Sequence, residues 1–179
     1  MLDKVNKFVK ESFGRDSLHL ERTLYWVKEL QPDAGEELLI AACSHDIERA
    51  LNLESKNKKE FNTREEMEKH QVEGGHIMFD FLIQEGYDAG KAKRVQELIS
   101  KHEVGGDVEQ NLLKDADSLS YLEVNVPRHI KFIKDKGFTK EELRKKFDFM
   151  YKRISSSKAK ELAEPFYKKA LGLLEACSD

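Results

Sequence analysis

The sequence predicts an all-α, single-domain helical bundle, and three observations support this. Only three prolines occur in 179 residues, so few positions oppose helix formation. The chain is 36% charged and 39% hydrophobic, a balance that suits long helices with one wet face and one buried face. No Pro/Gly/Ser-rich linker divides a length that is ordinary for one domain. We therefore expect residues 1–179 to form a single domain.

The N-terminal third is predicted to form three helices. Apolar residues at helical spacing from Leu2 to Val9 indicate a first short helix, and Gly14 ends it. A second helix from Ser17 to Leu30 has its apolar stripe at Leu20, Leu24 and Val27, which places His19 in its first turn. The run from Glu36 to Ala42 is apolar enough to be buried almost all round, as in a central helix. That helix would deliver His45 and Asp46 at its C-terminal part.

The middle of the chain is predicted as a polar loop followed by three helices. The loop covers Asn52 to Glu60. Thr63-Arg64-Glu65-Glu66 has the form of a capping box and predicts a helix to about Gln84. A helix from Ala89 to Lys101 would end at His102. The next, from Val108 to Leu122, would place Asp117 beside a core face, and Pro127 is expected to interrupt the segment that follows.

The C-terminal part is predicted to contain two further helices, at about 140–154 and 156–176. The start of the first is predicted by a second capping box, Thr139-Lys140-Glu141-Glu142. The segment from about 131 to 179 carries many aromatic residues and no chemistry that we can assign. We expect it to cover the other helices or to form a homo-oligomer contact.

Charge and composition narrow the classes of function. With 31 basic and 34 acidic residues, the formal net charge of -3 predicts no whole-molecule attraction to nucleic acid. There is no run of about 18 apolar residues and no N-terminal apolar h-region, so we expect a cytoplasmic protein with no membrane partner. Cys43 and Cys177 lack the spacing of metal ligands and are expected to be reduced thiols.

Histidine and aspartate residues carry the clearest chemical pattern. A single histidine on a helix is usually a packed or solvated residue. Here His19 and the pair His45-Asp46 lie on consecutive predicted helices, and Asp117 follows in the string Asp115-Ala116-Asp117-Ser118-Leu119. In this order of residues the chain resembles the HD superfamily of metal-dependent phosphohydrolases, whose signature is His, then His-Asp, then a distant Asp.

Further segments extend the resemblance over about residues 16–125. Arg22 lies one helical turn after His19, and the apolar run Leu38-Leu39-Ile40-Ala41-Ala42 precedes His45. The string His70-Gln71-Val72-Glu73-Gly74-Gly75 resembles the helix of the family's third histidine, with small residues close to the site. Ile99-Ser100-Lys101-His102 resembles the segment of the fourth. The resemblance thus implies a helical bundle of the HD type.

The resemblance also implies a catalytic metal held by His19, His45, Asp46 and Asp117. Relatives that keep the histidines equivalent to His70 and His102 bind two ions bridged by the aspartate of the pair. Imidazole and carboxylate ligands together suit Mn, Fe, Co or Ni, while the absence of a thiolate cluster argues against structural zinc. We therefore expect one or two divalent transition-metal ions with coordination positions left for a water and a phosphoryl oxygen.

Two arginines are candidates for contact with the substrate. Arg22 lies on the helical face of His19, and its guanidinium could bind a phosphate through two hydrogen bonds, so it is predicted as a catalytic residue beside Asp46. Arg49 is the second candidate, with a solvated surface position as the alternative. Some nucleotidases of the family carry an acidic residue at the position of Arg49, and this difference argues against a deoxynucleoside monophosphatase. His76 and His129 are expected to lie outside the site.

Three functions are compatible with the sequence. The leading one is hydrolysis of a small-molecule phosphate mono- or diester, with nucleotides among the candidate substrates. A di-iron oxygenase of the HD type is the first alternative, because a few relatives use dioxygen to cleave carbon–carbon or carbon–phosphorus bonds. The second is a non-catalytic nucleotide-binding module, which ranks last because buried histidines and carboxylates without a metal would be costly.

Overall fold

The computed structural model describes residues 1–51 and 63–177, and within these ranges it contains helices and no strand. The predicted loop from Asn52 to Glu60 lies outside the described residues. The α-helices are α1 (Leu2–Phe13), α2 (Leu18–Leu30), α3 (Glu36–Ser44), α4 (Ile47–Leu51), α5 (Arg64–Gln84), α6 (Ala89–Ile99), α7 (Val108–Ser120), α8 (Val126–Lys136), α9 (Lys140–Lys152) and α10 (Ser157–Ala176).

Helix α3 lies at the centre of the bundle. Its residues Leu38, Ile40, Ala41 and Ala42 are completely buried, which confirms the burial expected from the sequence. Helices α1, α2, α6 and α7 all contact α3 and shield it from solvent. These contacts also fix the position of the C-terminal end of α3. His45 and Asp46 follow that end directly.

Two glycines allow α5 to approach its neighbours closely. A Cβ atom on Gly74 would lie 3.2 Å from the carbonyl oxygen of His45. On Gly75 it would lie 2.4 Å from Oγ of Ser100 and 2.9 Å from a backbone oxygen of α6. The small residues expected near the site therefore bring α5, with His70 one turn earlier, against both the end of α3 and α6.

The capping residues confirm several predicted helix starts. Thr63 and Thr139 each accept a hydrogen bond from the backbone of a glutamate three residues later, and each glutamate side chain caps in return. Asp107 and Gln110 form a third capping box at the start of α7. Each box satisfies backbone N–H groups that a helix start would otherwise leave without partners.

The connection between α7 and α8 differs from the prediction. The α-helix ends at Ser120, and a π-helical turn, Tyr121–Asn125, leads directly into α8. Pro127 does not interrupt the chain, because it lies in the first turn of α8, where a missing N–H costs no hydrogen bond. The predicted interruption at Pro127 was therefore wrong, because α8 includes this residue.

The C-terminal helices α9 and α10 pack against each other and cover α7 and the π-helical turn. Leu143 and Phe147 of α9 are completely buried, as are Ala159 and Ala163 of α10. The two predicted helices are thus present, and the aromatic segment serves as a cover. Among the described residues, no helix combines the length and apolarity needed to cross a membrane.

Candidate metal centre

Four histidines and two aspartates from five segments of the chain converge beside the end of α3. His19 comes from α2, His45 and Asp46 from the turn between α3 and α4, and His70 from α5. His102 follows α6, and Asp117 belongs to α7. The imidazole rings form a row in which the centroids of His19 and His45 are 5.3 Å apart. The centroid of His102 lies 4.9 Å from that of His45 and 5.4 Å from that of His70.

One side of the row is a compact group of two histidines and a carboxylate. Oδ1 of Asp117 lies 3.0 Å from Nε2 of His19 and 3.5 Å from Nε2 of His45. Oδ2 of Asp46 approaches Nε2 of His19 at 3.9 Å. The ligand atoms of His19, His45 and Asp117 all lie within 4.8 Å of one another, a spacing that could hold one metal ion.

The other side of the row centres on His70 and His102. Oδ1 of Asp46 lies 2.9 Å from Nε2 of His70 and 3.9 Å from Nε2 of His102. Two further groups with suitable spacing occur here, His45 with Asp46 and His102, and His70 with His102 and Glu103. Asp46 therefore lies between the two sides, with one carboxylate oxygen towards each.

The hydrogen bonds of the histidines turn every Nε2 towards the carboxylates. Nδ1 of His45 bonds to the carbonyl oxygen of Ala42 at 3.1 Å, and Nδ1 of His102 to that of Ile99 at 2.8 Å. A carbonyl oxygen only accepts, so both Nδ1 atoms carry hydrogen and both Nε2 atoms of the neutral rings have a free lone pair. Such outward bonds are the usual means of orienting metal-binding histidines.

His19 and His70 are oriented in the same direction by side chains. Nδ1 of His19 lies 2.9 Å from the hydroxyl of Ser120, which itself donates to the carbonyl oxygen of His19 at 2.7 Å. Nδ1 of His70 bonds to Oε2 of Glu48 at 2.8 Å. Each of the four rings is therefore held at Nδ1 and presents Nε2 to the centre.

Two ring nitrogens show that the group fits a metal ion. Within residues 1–51 and 63–177, the buried side-chain polar atoms without a hydrogen-bond partner are Nε2 of His45 and Nε2 of His102. A buried polar atom without a partner is destabilising unless something binds it. With mixed imidazole and carboxylate donors around them, these atoms are suited to a divalent transition metal.

Electrostatics keep the aspartates ionised. Burial alone would raise the pKa of Asp46, but Arg49 and the neighbouring histidines hold it well below its usual range. Burial is likewise outweighed at Asp117, whose pKa is held well down by Arg153 first and by the histidines next. Both carboxylates are therefore available as anionic ligands at neutral pH.

The histidines divide into two kinds. Burial lowers the pKa of His102 to about 4, so this ring is neutral and can coordinate at neutral pH. Burial acts in the same direction on His70, but Asp46 and Glu48 outweigh it and raise its pKa. For His45, too, burial is outweighed, here by Asp46 and Asp117.

Two residues that the sequence did not indicate complete the centre. Glu103, next to His102, lies with Oε1 3.8 Å from Nε2 of that histidine. Arg153, which directly follows α9, bonds to both Asp117 and Glu103 and donates from Nε to the hydroxyl of Ser118 at 2.7 Å. Arg153 lies outside the segment that carries the histidine and aspartate pattern, so no local signal pointed to it.

The two predicted substrate arginines have different positions. Arg49 lies at the centre, with Nε 3.0 Å from Oδ1 of Asp46, and its side chain is 36% exposed, so solvent reaches it. Arg22 instead binds Glu123 through two hydrogen bonds of 2.7 and 2.8 Å and stacks on Tyr25. In the part of the chain that the structure describes, Arg22 has no ion pair with the clustered residues. The contact of Arg22 with substrate remains a prediction.

The remaining histidines and the cysteines lie apart from the row. Nδ1 of His76 bonds to the side chain of Gln96 at 3.0 Å. Nδ1 of His129 lies 2.5 Å from the hydroxyl oxygen of Tyr121, and the ring of His129 stacks on Phe132. Cys43 is buried and Cys177 is half-buried, and neither forms a disulfide.

Comparison with known proteins identifies the fold. The chain is similar in structure to a predicted HD superfamily hydrolase from an uncultured Thermotogales bacterium, at 17% identity and a TM-score of 0.65, over 97% of this chain and 88% of that one. It is also similar to Bacillus subtilis YpgQ, solved in complex with ADP, at 21% identity and a TM-score of 0.69, over 98% and 94% of the two chains. A comparison with curated protein sequences gives no significant match.

These similarities, together with the clustered histidines and aspartates, establish the HD fold that the sequence pattern predicted. Residues 3–169 match the sequence family DUF4202, described as a domain of unknown function. The match covers nearly the whole chain, so the protein belongs to the DUF4202 family and has the HD fold.

Proposed function

We propose that this protein is a metal-dependent phosphohydrolase that cleaves a phosphate mono- or diester. The observation that carries the proposal is the convergence of four Nε2 atoms on Asp46 and Asp117, with every Nδ1 held from outside. Two of these Nε2 atoms are buried without a partner. This arrangement is costly for a protein that binds no cation there.

His19, His45, Asp46 and Asp117 would hold the first divalent ion, and His70 and His102 would share Asp46 with a second. An ion bound there supplies Lewis-acid chemistry, since it polarises a phosphoryl oxygen and lowers the pKa of water. Because thiolates are absent from the group, Mn, Fe, Co and Ni are the candidate metals. The hydrogen bonds at Nδ1 keep the ligand atoms in place and so reduce the reorganisation needed during reaction.

The substrate phosphate would be oriented by Arg49. Its guanidinium is fixed beside Asp46 and partly exposed, so a phosphate could reach it from solvent while close to the ligands. A planar guanidinium binds two oxygens of a phosphate at once. Asp46, the most central carboxylate, has a side chain that is 17% exposed, which leaves an approach for the reacting group.

Nucleotides are the first substrate class to test. YpgQ, whose fold this chain shares, was solved with ADP. A nucleoside phosphate also carries the anionic group that Arg49 would bind. The phosphate ester would be the reacting group, and a nucleotide would be the molecule that contains it.

The test is hydrolysis by the full chain after reconstitution with Mn, Fe, Co or Ni, on a panel of nucleotides and other phosphate mono- and diesters. We expect phosphate release that depends on metal and is lost in Asp46→Asn. Absence of release with every metal would contradict the proposal, as would a variant as active as the wild type. Iron-dependent oxygen consumption without phosphate release would favour the oxygenase alternative.

A further inference from the structure

Arg153 connects the C-terminal cover to the metal centre. It directly follows α9, and its side chain is only 7% exposed. The guanidinium bonds to Oδ2 of Asp117 and to Oε2 of Glu103, while its Nε donates to the hydroxyl of Ser118. Arg153 thus joins Asp117, a candidate metal ligand on α7, to Glu103, which follows His102.

The contact divides the two oxygens of Asp117 between different partners. Oδ2 faces Arg153, and Oδ1 faces Nε2 of His19 at 3.0 Å and of His45 at 3.5 Å. The same division occurs at Glu103, whose Oε1 faces His102 while Oε2 faces Arg153. An aspartate held by one oxygen cannot rotate freely, so the other oxygen stays directed at the histidines.

The backbone after Arg153 is itself fixed to α7. Asp115 accepts hydrogen bonds from the backbone N–H groups of Ser155 at 2.7 Å and Ser156 at 2.8 Å. Nζ of Lys114 donates to the hydroxyl of Ser155 at 2.7 Å. Four residues of α7 are therefore tied to the turn between α9 and α10: Lys114, Asp115, Asp117 and Ser118.

We propose that Arg153 is a positioning residue of the metal centre, which aims Oδ1 of Asp117 at the ion by holding Oδ2. The proposal rests on the proposed function only in requiring that the centre binds a divalent ion, and not on which substrate is cleaved. It assigns a part of the centre to a segment that the histidine and aspartate pattern does not include.

A cation close to a metal ligand can act in two opposite ways. It can orient the carboxylate and so strengthen metal binding, or it can compete with the ion for the same negative charge and so weaken it. Residues that orient metal ligands typically change metal affinity by about 10- to 100-fold. The division of the oxygens favours orientation, because Arg153 occupies the oxygen that faces away from the histidines.

The sign of the change in metal affinity on removal of Arg153 decides between these effects. We would measure Co²⁺ affinity by calorimetry and record the visible spectrum of the Co²⁺-loaded full chain for the wild type and Arg153→Ala. Arg94→Ala is the matched control, because Arg94 also binds two carboxylates of α7 and its cap, Glu109 and Asp107, at the opposite end of the helix. Thermal unfolding of both variants separates loss of fold from loss of the ligand geometry.

We expect Arg153→Ala to bind Co²⁺ roughly 10- to 100-fold more weakly, with an altered spectrum, while Arg94→Ala keeps the wild-type affinity and spectrum. Added methylguanidinium should restore part of the affinity in Arg153→Ala, because it can occupy the space between the two carboxylates. Unchanged or tighter binding by Arg153→Ala would overturn the proposal and identify Arg153 as a competitor of the ion.

A second variant covers the case in which Arg153→Ala fails to fold. Arg153→Lys keeps the charge but cannot hold both carboxylates through a planar fork. We expect it to fold and to bind Co²⁺ several-fold more weakly than the wild type, with a changed spectrum. Wild-type affinity and spectrum in the lysine variant would overturn the proposal, since charge alone would then be sufficient. Phosphate release plays no part in these measurements, so they can fail while the proposed function holds, or the reverse.

Discussion

The two sides of Asp46 are built from the same residue types and yet differ in how they are prepared for a metal ion. On the side of His19, His45 and Asp117, the hydrogen-bond partners at Nδ1 are an uncharged hydroxyl and a carbonyl oxygen. On the side of His70, both ring nitrogens face carboxylates, Glu48 at 2.8 Å and Asp46 at 2.9 Å. A histidine between two carboxylates favours its protonated form, which cannot bind a metal.

The difference between the two sides of Asp46 predicts an order in which two metal ions would bind. On the His19 side, the partners at Nδ1 are uncharged, although Asp46 and Asp117 raise the pKa of His45. On the His70 side, His102 is neutral, but His70 has a carboxylate at each ring nitrogen, so its protonated form competes more strongly with an ion. We therefore expect the first ion on the His19 side and a weaker, pH-dependent second ion on the His70 side.

The largest effect is expected from Asp46→Asn, because Asp46 serves both sides. Replacing the bridging carboxylate should remove metal from the purified protein and lower phosphate release by more than about 100-fold, beyond the effect of a residue that only orients a ligand. Metal analysis of dialysed samples and turnover assays give the measurement. Asp148→Asn is the matched control, since Asp148 accepts a hydrogen bond from the hydroxyl of Tyr167 and pairs with Lys152, away from the centre.

The comparison is tested most directly by His45→Ala against His70→Ala. His45 belongs to the groups on the His19 side and at Asp46, so we expect its removal to abolish retention of the first ion. Removal of His70 should leave one ion per chain after dialysis and reduce only the second. Equal losses of metal in the two variants would show that the sides are equivalent and would contradict the expected order of binding.

A smaller effect separates the two arginines. Arg49 lies on Asp46 and is open to solvent, whereas Arg22 is paired with Glu123. Arg49→Ala should raise KM for the best phosphate ester by about 10-fold, the loss expected for one charge-assisted hydrogen bond. Arg22→Ala should change KM less and lower the thermal stability more. The reverse order would favour Arg22 as the phosphate contact.

The smallest effect concerns pH and the metal-free protein. The pKa of His70 is raised in the folded chain, so its protonated form stabilises the fold fully below the unfolded pKa of roughly 6.5. That contribution is lost as pH rises through the raised value, with a slope of at most about 1.4 kcal/mol per pH unit. Urea unfolding in the presence of a chelator from pH 6 to 9 should show this slope reduced in His70→Gln. An equal slope in both proteins would contradict it.

Much of the fold could be predicted because its signals are local. The capping residues at Thr63 and Thr139, and the apolar run before His45, each act within a few residues of chain. The π-helical turn after Ser120 was missed because its backbone depends on packing against α8, α9 and α10, which no local pattern encodes. Pro127 misled the prediction, since proline in a first helical turn and proline as a break look alike in sequence.

The candidate site was predicted in its histidines and aspartates and missed in its supporting residues. His19, His45, Asp46, His70, His102 and Asp117 follow a spaced pattern, and the structure brings all of them together. Glu103 and Arg153 carry no such pattern, because a charged residue near a helix end is usually a solvated one. Arg22 was predicted as a substrate contact because it lies on the helical face of His19. Its guanidinium binds Glu123, which is 101 positions later in the chain.

The bond between Ser120 and His19 has a consequence for how the protein is made. These residues are 101 positions apart, and Arg153 lies a further 36 positions beyond Asp117. Helices form from neighbouring residues, but contacts across such distances require the closure of long loops and form late in folding. During synthesis α9 must therefore leave the ribosome before Arg153 can bond to Asp117, and we expect the ion to bind after that step.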